Sequence, residues 1–403
     1  MTATVVTGLG VLAPNGLGTE DFWAATLAGE SGIGPVRRFD ASSYPARLAG
    51  EVPGFDAAEH LPNRLLPQTD HMTRMALVAA DWALADAGLE PDSTDSFGMG
   101  VVTASSAGGF EFGQNELRAL WSRGPKHVSA YQSFAWFYAV NTGQISIRHG
   151  MRGPSGVLVA DQAGGLDALA QGRRLIRDGT PVVVSGGVDS SVCPWGWAAQ
   201  LSGGRLAAGD DPATAYRPFH PDAAGHVSGE GGAILVLEDA AHAEARGARV
   251  HGRILGCAAT FDPRPGSDRE PGLRRAIELA LADADLTPSD IDAVLADAAG
   301  LPELDAAEAA ALCAVFGERG VPVSAPKTMT GRLNSGAGPL DVATALLSLR
   351  DQVIPPTINV EADPALGLDL VTGRRREAAL RNVLVLARGH GGFNSALVVG
   401  GAA

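Results

Sequence analysis

Residues 155–176, SGVLVADQAGGLDALAQGRRLI, have the pattern of an apolar strand, a tight turn at Gly164 and Gly165, and a helix. A side chain lifted to the start of such a helix is placed for nucleophilic chemistry, because free N–H groups and the helix dipole stabilise a thiolate or an oxyanion there. The residue in that place is Gln162, whose neutral amide forms no acyl intermediate. The sequence therefore predicts a nucleophile elbow without a nucleophile.

The cysteines offer no replacement. Cys193, Cys257 and Cys313 are widely spaced and odd in number, so neither a disulfide framework nor a zinc site is predicted. Cys193, within SSVCPWGW, has no base or helix N-terminus predicted near it, and this makes it a poor substitute nucleophile.

No metal and no cofactor are expected. The segment TGLGVLAPNGLG lacks the G-x-G-x-x-G spacing of a dinucleotide site. Four histidines are scattered without metal-ligand spacing, and most of them are predicted to be surface or hydrogen-bonded side chains. These histidines are His149, His220, His226 and His390.

Composition narrows the class of protein. The chain has 403 residues, of which 45% are hydrophobic and 19% charged, which is ample for a large core. Its net charge of −14 argues against nucleic acid as a partner. No apolar stretch is long enough to span a membrane, and the N-terminus enters a strand without a basic leader. We expect a cytoplasmic protein.

Strands and helices alternate along the chain in two passes, which predicts an α/β protein. TPVVVSGGVDSSVC in the first pass corresponds to NVLVLARGHGGFNSA in the second. The expected architecture is a duplication, with residues 1–250 and 251–403 as the two halves and a helix layer between two stacked sheets.

Six motifs in order over nearly the whole chain resemble the β-ketoacyl synthases of the thiolase fold. They are VVTGLGVLAPNG, GPSGVLVADQAGGLDAL, VVVSGGVDSS, YRPFHPDAAGHVSGEGGAILVLED, PKTMTGRLNSGAGPLDVATALLSL and ARGHGGFNSALVV. The resemblance implies duplicated βαβαβαββ halves in a five-layer αβαβα sandwich.

The same resemblance locates the reacting groups. An active ketosynthase has a cysteine and two histidines where this chain has Gln162, Asp297 and Arg332. Condensation needs a thiolate for the acyl chain and donors for the enolate formed by decarboxylation. A carboxylate at 297 repels an enolate, and an arginine donates but shuttles no proton. The family's Lys327 and Glu308 are retained, and we expect them to form a buried pair with a structural role.

A ketosynthase body with DQAGG at the elbow resembles the chain length factor, the β-subunit of bacterial type II aromatic polyketide ketosynthases. This implies a heterodimer with a catalytic ketosynthase α-subunit, and a tunnel for the growing poly-β-ketone that both subunits line. The acyl carrier protein is expected to dock mainly through the α-subunit, because this chain is itself acidic. Gln162 is expected to fill the elbow and to use the N–H groups that an acyl oxygen would meet.

The resemblance also implicates the helix after AGGF in closing the tunnel. Phe110, Gly113 and Leu117 share one face of that helix, and Gly113 is expected to leave open space. A deeper tunnel predicts a decaketide or longer product. Phe134 is also expected to line the tunnel and to affect chain length, because its aromatic segment YQSFAWFYAVNTGQIS could close the same space. For this segment an interface and ordinary core packing both remain open.

Two other functions remain open. The chain could be a malonyl-carrier-protein decarboxylase that supplies the acetyl starter, with Gln162 imitating an acylated cysteine. It could also be a degenerate scaffold, in which case product length would not depend on residues 110, 113 and 117.

Overall fold

Most strands of the N-terminal half form one mixed sheet, and three short strands form a separate three-stranded sheet. The computed structural model describes residues 3–91, 94–264, 266–361 and 363–402. The strands of this half are β1 (Thr4–Ala13), β2 (Gly16–Leu17), β3 (Ile33–Pro35), β4 (Leu48–Gly50), β5 (Met99–Ala104), β6 (Ser155–Leu158), β7 (Val182–Asp189), β8 (Ser228–Gly229) and β9 (Gly231–Asp239). The sheet order is β6-β5-β7-β9-β1, with β6, β5 and β7 parallel and β9 antiparallel to its neighbours.

The C-terminal half repeats this arrangement. Its strands are β10 (Gly252–Phe261), β11 (Ala293–Leu295), β12 (Pro322–Ser324), β13 (Val353–Ile354), β14 (Asp369–Leu370), β15 (Arg376–Glu377), β16 (Asn382–Arg388) and β17 (Phe393–Gly401). The order β12-β11-β16-β17-β10 has the same parallel and antiparallel neighbours. Strands β7 and β16 occupy equivalent positions, so the predicted correspondence between their sequences is confirmed.

The two sheets are joined, and this differs from the simple stack expected from the sequence. A short antiparallel pairing of β1 with β10, through Val5 and Arg253, makes the hydrogen-bonded network continuous. Strand β14 extends the C-terminal sheet beyond β12.

Helices form the remaining layers. The helices are α1 (Thr19–Ala28), α2 (Ala57–His60), α3 (His71–Asp86), α4 (Phe110–Arg123), α5 (Gln132–Ala135), α6 (Val140–His149), α7 (Gly164–Arg177), α8 (Pro194–Ser202), α9 (Ala240–Ala245), α10 (Leu273–Asp283), α11 (Pro302–Phe316) and α12 (Ala337–Asp351). Helices α7 and α12 pack against strands of both sheets, α3 and α6 cover the outer face of one sheet, and α10 and α11 cover that of the other. The expected five-layer thiolase-like sandwich is confirmed.

Strand alternation builds this core. Val183 on β7 contributes to the central core, whereas its neighbours Val182 and Val184 belong to the outer core under α3. On β16, Val385 is in the central core and Leu384 in the core under α10. Strands buried on both faces therefore explain the continuous apolar runs in the sequence.

Candidate functional site

The predicted elbow is present at the end of β6. A 3-10 turn, Asp161–Ala163, joins the strand to α7, and Asp161 has a left-handed φ of 51°. The carboxylate of Asp161 accepts the backbone N–H of His390 at 2.8 Å, which ties the turn to the loop after β16. Gln162 sits in this turn and is buried.

The two glycines of the elbow have a different role from the one predicted. Gly164 and Gly165 lie in the first turn of α7, and the reversal itself is made by residues 161–163. A Cβ on Gly165 would lie 2.3 Å from the carbonyl oxygen of Ser335 and from Cδ of Pro339. Gly165 is therefore required by the close approach of α7 and α12.

The three replaced positions meet in one buried cluster. The guanidinium of Arg332 binds the carboxylate of Asp297 through Nη1 at 3.1 Å and Nη2 at 3.0 Å, and Nη1 also donates to the Asp297 carbonyl oxygen at 2.7 Å. Nη2 donates to the carbonyl oxygen of Arg388 at 3.2 Å. With its amide oxygen turned to the guanidinium, Gln162 accepts from Nε and Nη2 of Arg332. Each guanidinium nitrogen therefore has an acceptor.

Gln162 thus has a different partner from the one expected. The backbone N–H groups of the elbow were expected to bind its amide, and the structure places the Arg332 side chain there instead. The guanidinium reaches the elbow because arginine has a longer side chain than the histidine that the sequence resemblance implies at this position.

Electrostatics keep this cluster ionised. Burial alone would raise the pKa of Asp297, but the charges of Arg332 and Lys327 hold it below its ordinary value. Burial opposes the charge on Arg332, and Asp297 more than compensates, so the pKa of the guanidinium is raised. A closed ion pair of this kind holds its protons and offers no general acid or base at neutral pH.

The expected Lys327–Glu308 pair is wrong. The ammonium of Lys327 binds the carboxylate of Asp341 at 2.8 Å and the carbonyl oxygen of Ala296. The carboxylate of Glu308 accepts the N–H groups of Asp297 at 2.7 Å and Ala298 at 2.9 Å. The two side chains instead fix opposite ends of the segment 296–298, because its backbone offers an acceptor on one side and donors on the other. Lys327 and Glu308 therefore have a structural role, which is to hold the backbone segment that carries Asp297.

A cavity of about 660 Å³ opens beside the cluster. Its lining includes Gln162, Asp297 and Arg332, together with His226 and His390. The sequence pattern did not predict that two of the scattered histidines share this cavity. Burial, reinforced by the charge of Arg332, lowers the pKa of His226 to about 3, so its imidazole is neutral. Its buried Nδ1 has no hydrogen-bond partner among the described residues.

Cys193 does stand at a helix N-terminus, contrary to the sequence-based expectation. It is the N-cap of α8, and its sulfur accepts the N–H of Gly196 at 3.4 Å. Pro194 at the first helical position was a signal for this helix start. Burial nevertheless raises the pKa of the thiol to about 11, so Cys193 is protonated and remains a poor nucleophile.

Helix α4 places the candidate tunnel residues outside the cavity at Gln162. The ring of Phe110 stacks on Trp195 of α8 with centroids 5.1 Å apart. Open space was expected beside Gly113, but a Cβ there would lie 2.9 Å from Cζ3 of Trp195. Leu117 is exposed on the same helix. The missed residue is Trp195, which the sequence placed some eighty positions away from α4.

The aromatic segment divides between the two alternatives left open. Phe134 packs against the core under α3. Its neighbours Trp136, Phe137 and Tyr138 are exposed and in ring contact with one another, and Trp136 lies with Trp195 beside Gly113 of α4. The aromatic face is defined here as six side chains that are 38–45% exposed: Leu117, Tyr131, Trp136, Phe137, Tyr138 and Trp195. Exposure of this much apolar surface indicates an interface.

The elbow, α4 and α8 all lie at the carboxyl ends of the parallel strands of the N-terminal sheet. They follow β6, β5 and β7 respectively, and these strands are parallel. The carboxyl ends of parallel strands meet at the same edge, which is where α/β proteins build their sites.

Comparison with known families agrees with this fold and site. Residues 1–243 match the N-terminal domain of β-ketoacyl synthases and residues 251–361 match their C-terminal domain. The chain belongs to the β-ketoacyl synthase family.

Its relatives narrow the group further. The chain is 63% identical, over 98% of its length and 97% of the relative's, to the tetracenomycin polyketide synthase ketoacyl synthase beta subunit of Streptomyces glaucescens. It is 62% identical to the actinorhodin polyketide beta-ketoacyl synthase 2 of Streptomyces coelicolor, with 98% of both chains covered. A solved ishigamide ketosynthase/chain length factor is 30% identical with a TM-score of 0.90, over 100% of both chains.

A structure of a type II acyl-carrier protein in complex with its ketosynthase contains a chain 26% identical to this one, with a TM-score of 0.89 and full coverage of both. Among the described residues, no helix is both long and apolar enough to cross a membrane. No cluster of His, Cys, Asp and Glu suited to a metal is found in the same part of the chain.

Proposed function

We propose that this chain is the non-catalytic subunit of a heterodimeric type II polyketide ketosynthase and that it sets the length of the poly-β-ketone. The observation that carries the proposal is the closed cluster of Gln162, Arg332 and Asp297. It holds no nucleophile, and its hydrogen-bond donors are already engaged. Condensation therefore belongs to a partner with an intact site, and this chain contributes shape.

The partner is a ketosynthase α-subunit, and the aromatic face is the surface it covers. Strand β6 is an edge of the sheet, so its outer backbone groups are available for pairing next to that face. The names of the ketosynthase/chain length factor and of the beta subunit among the relatives support this assignment. The acyl carrier protein docks mainly on the α-subunit, since two acidic proteins repel each other.

Product length depends on the face of α4 that carries Phe110, Gly113 and Leu117, together with Trp195. Because there is no free space beside Gly113, a larger residue at this position acts by displacing Trp195. A decaketide or longer product stays a prediction. Phe134 contributes from behind, by supporting the segment that carries Trp136 and Phe137.

The cytoplasm is the proposed location. Cys193, Cys257 and Cys313 are all free thiols, as expected in a reducing compartment. The division into halves at residues 250 and 251 also remains part of the proposal.

The decarboxylase alternative lacks a free hydrogen-bond donor that could stabilise the enolate. An enolate formed from malonyl thioester needs donors that are free to bind its oxygen. The N–H groups of Arg332 are directed to Asp297, Arg388 and Gln162, and Asp297 adds a negative charge. The geometry therefore favours a shaping role over decarboxylation.

The test is co-expression with a type II ketosynthase α-subunit, followed by size measurement of the purified complex and mass spectrometry of its products. We expect a one-to-one complex that condenses malonyl units, and this chain alone to release no carbon dioxide from malonyl carrier protein. Decarboxylation by the isolated chain, at a rate equal to that of the complex, would contradict the proposal.

A further inference from the structure

Helices α4 and α8 are joined by a hydrogen bond beside the face of α4 that carries Phe110, Gly113 and Leu117. The side-chain oxygen Oε1 of Gln114 on α4 accepts the backbone N–H of Trp195 on α8 at 2.7 Å. Gln114 directly follows Gly113, against which the indole of Trp195 packs. The bond therefore holds the backbone of the residue whose ring closes this part of the face.

The first turn of α8 explains why this bond exists. The first N–H groups of a helix have no partner within the helix. Pro194 has no N–H, Cys193 accepts the N–H of Gly196, and Gln114 supplies the acceptor for Trp195. A residue of α4 thus completes the N-terminal cap of α8.

Other contacts leave the position of Trp195 less defined. Its ring stacks on Phe110, and it is 38% exposed. Stacking tolerates sliding and tilting of the rings, whereas a hydrogen bond to the backbone fixes distance and direction. Gln114 thus fixes the first turn of α8, where Trp195 lies, against α4.

We propose that Gln114 is a positioning residue for product length, and that it acts by holding Trp195 against Gly113. This inference rests on the proposed function. Without the acceptor, the first turn of α8 samples further positions, Trp195 no longer lies at one depth beside Gly113, and chains of more than one length are released. The expected signature is a changed distribution of lengths at an almost unchanged rate of condensation.

The experiment compares heterodimers that carry Gln114→Met, Gln114→Ala and Gln114→Glu. Methionine keeps the length of the side chain but offers a weak acceptor, whereas glutamate keeps an oxygen for the N–H of Trp195. Ser122→Ala is the matched control, because Ser122 is on the same helix and bonds only the carbonyl of Arg118 among the described residues. Products are quantified by mass spectrometry, together with malonyl consumption and the melting temperature of the complex.

We expect Gln114→Met and Gln114→Ala to raise the ratio of minor to major product lengths about fivefold, which is the population change for one lost hydrogen bond. Malonyl consumption should stay within about twofold, and Gln114→Glu and Ser122→Ala should keep the parent ratio. An unchanged ratio in the folded Gln114→Met or Gln114→Ala complex would overturn the inference, as would the same shift in Gln114→Glu.

A Trp195→Ala complex separates this inference from the proposed function. If Trp195→Ala changes the length distribution and Gln114→Met does not, the positioning role of Gln114 is wrong, but this face of the subunit still sets product length. If neither changes it, the assignment of this face to product length is wrong as well.

Discussion

Gln162 occupies an elbow that the fold maintains for reasons unrelated to its own chemistry. The turn is fixed by the bond of Asp161 to His390 and by the packing of α7 on α12 through Gly165. Gln162 then serves as a neutral partner for the Arg332 guanidinium. Buried polar groups at such a site still need hydrogen-bond partners when the nucleophile is lost, and Gln162, Arg332 and Asp297 provide them for one another.

Gln162→Ala tests whether the elbow takes part in priming. We expect the heterodimer to keep its rate of condensation from malonyl carrier protein within about twofold, because the amide is hydrogen-bonded to Arg332 within this chain. The variant should lose about 1–3 kcal/mol of stability, since one N–H of a buried guanidinium loses its acceptor. The rate is measured with and without an added acetyl starter. A loss of condensation that acetyl restores would point to starter synthesis at this site.

Asp189 at the end of β7 should make stability depend on pH. Its Oδ2 accepts bonds from Ser106 and Ser335, its Oδ1 has no partner among the described residues, and burial raises its pKa to about 6. The folded state therefore binds the proton more tightly than the unfolded state, whose pKa is near 4. Its stabilising contribution is complete below about pH 4 and is lost as the pH rises through 6.

Asp189→Asn removes this dependence, because an amide can keep the bonds to Oδ2. The free energy of unfolding of the parent minus that of Asp189→Asn should fall by up to about 3 kcal/mol between pH 4 and pH 7. Urea unfolding of the purified chain at several pH values measures this difference. A difference that is constant over the range, or that grows with pH, would be inconsistent with the raised pKa.

The helix and turn at the elbow show how much of the local fold could be predicted from the sequence. The helix predicted after the elbow is present as α7, because its apolar residues Leu166, Leu169 and Ile176 recur on one buried face that local sequence reveals. The placement of the turn at Gly164 and Gly165 was wrong, because their requirement for glycine comes from a helix far along the chain. Local patterns carry periodicity, and they carry no record of distant neighbours.

The same limit applies to the candidate sites. The elbow and the replaced residues could be found from motifs that are continuous in sequence. The partners of Lys327 and Glu308, the cavity shared by the histidines, and the contact of Trp195 with Gly113 depend on tertiary packing between separate elements. No spacing rule in one sequence predicts such pairs.

Gly113→Ala tests the packing of α4 on α8. The added Cβ would lie 2.9 Å from the Trp195 ring, so the ring must shift. We expect the shifted ring to shorten the proposed tunnel. We expect a shift towards shorter products in the heterodimer, with the melting temperature lowered by a few degrees at most. Gly143→Ala on α6 is the control, because a Cβ there meets no atom within 4 Å. Equal product profiles for Gly113→Ala and the parent would show that Trp195 does not limit length.

On the scale of the whole molecule, the chain is half of a two-subunit site. Its own elbow site holds a closed ion pair in place of reacting groups, and its aromatic face is open to solvent. Both features make sense when a second subunit supplies the reacting groups and covers the face.

Phe137→Asp should weaken the heterodimer. Phe137 contacts two other exposed aromatic rings, with its centroid 4.2 Å from that of Tyr138 and 6.4 Å from that of Trp136. In the complex a carboxylate at this position would be buried without a partner. We expect at least a tenfold weaker complex on titration with the α-subunit. Phe97→Asp is the matched control, since Phe97 is 66% exposed but precedes β5 at the opposite edge of the sheet. If both variants bind like the parent, the interface lies elsewhere.

The most direct test of the central claim is the length of the poly-β-ketone made by a heterodimer carrying Leu117→Phe. Leu117 is exposed on the face of α4 that we propose lines the tunnel, so a larger ring there should narrow the tunnel without disturbing the core. We expect a one-to-one complex with the parent rate of malonyl consumption and a shorter major product by mass spectrometry. The same product length from the same complex would contradict it.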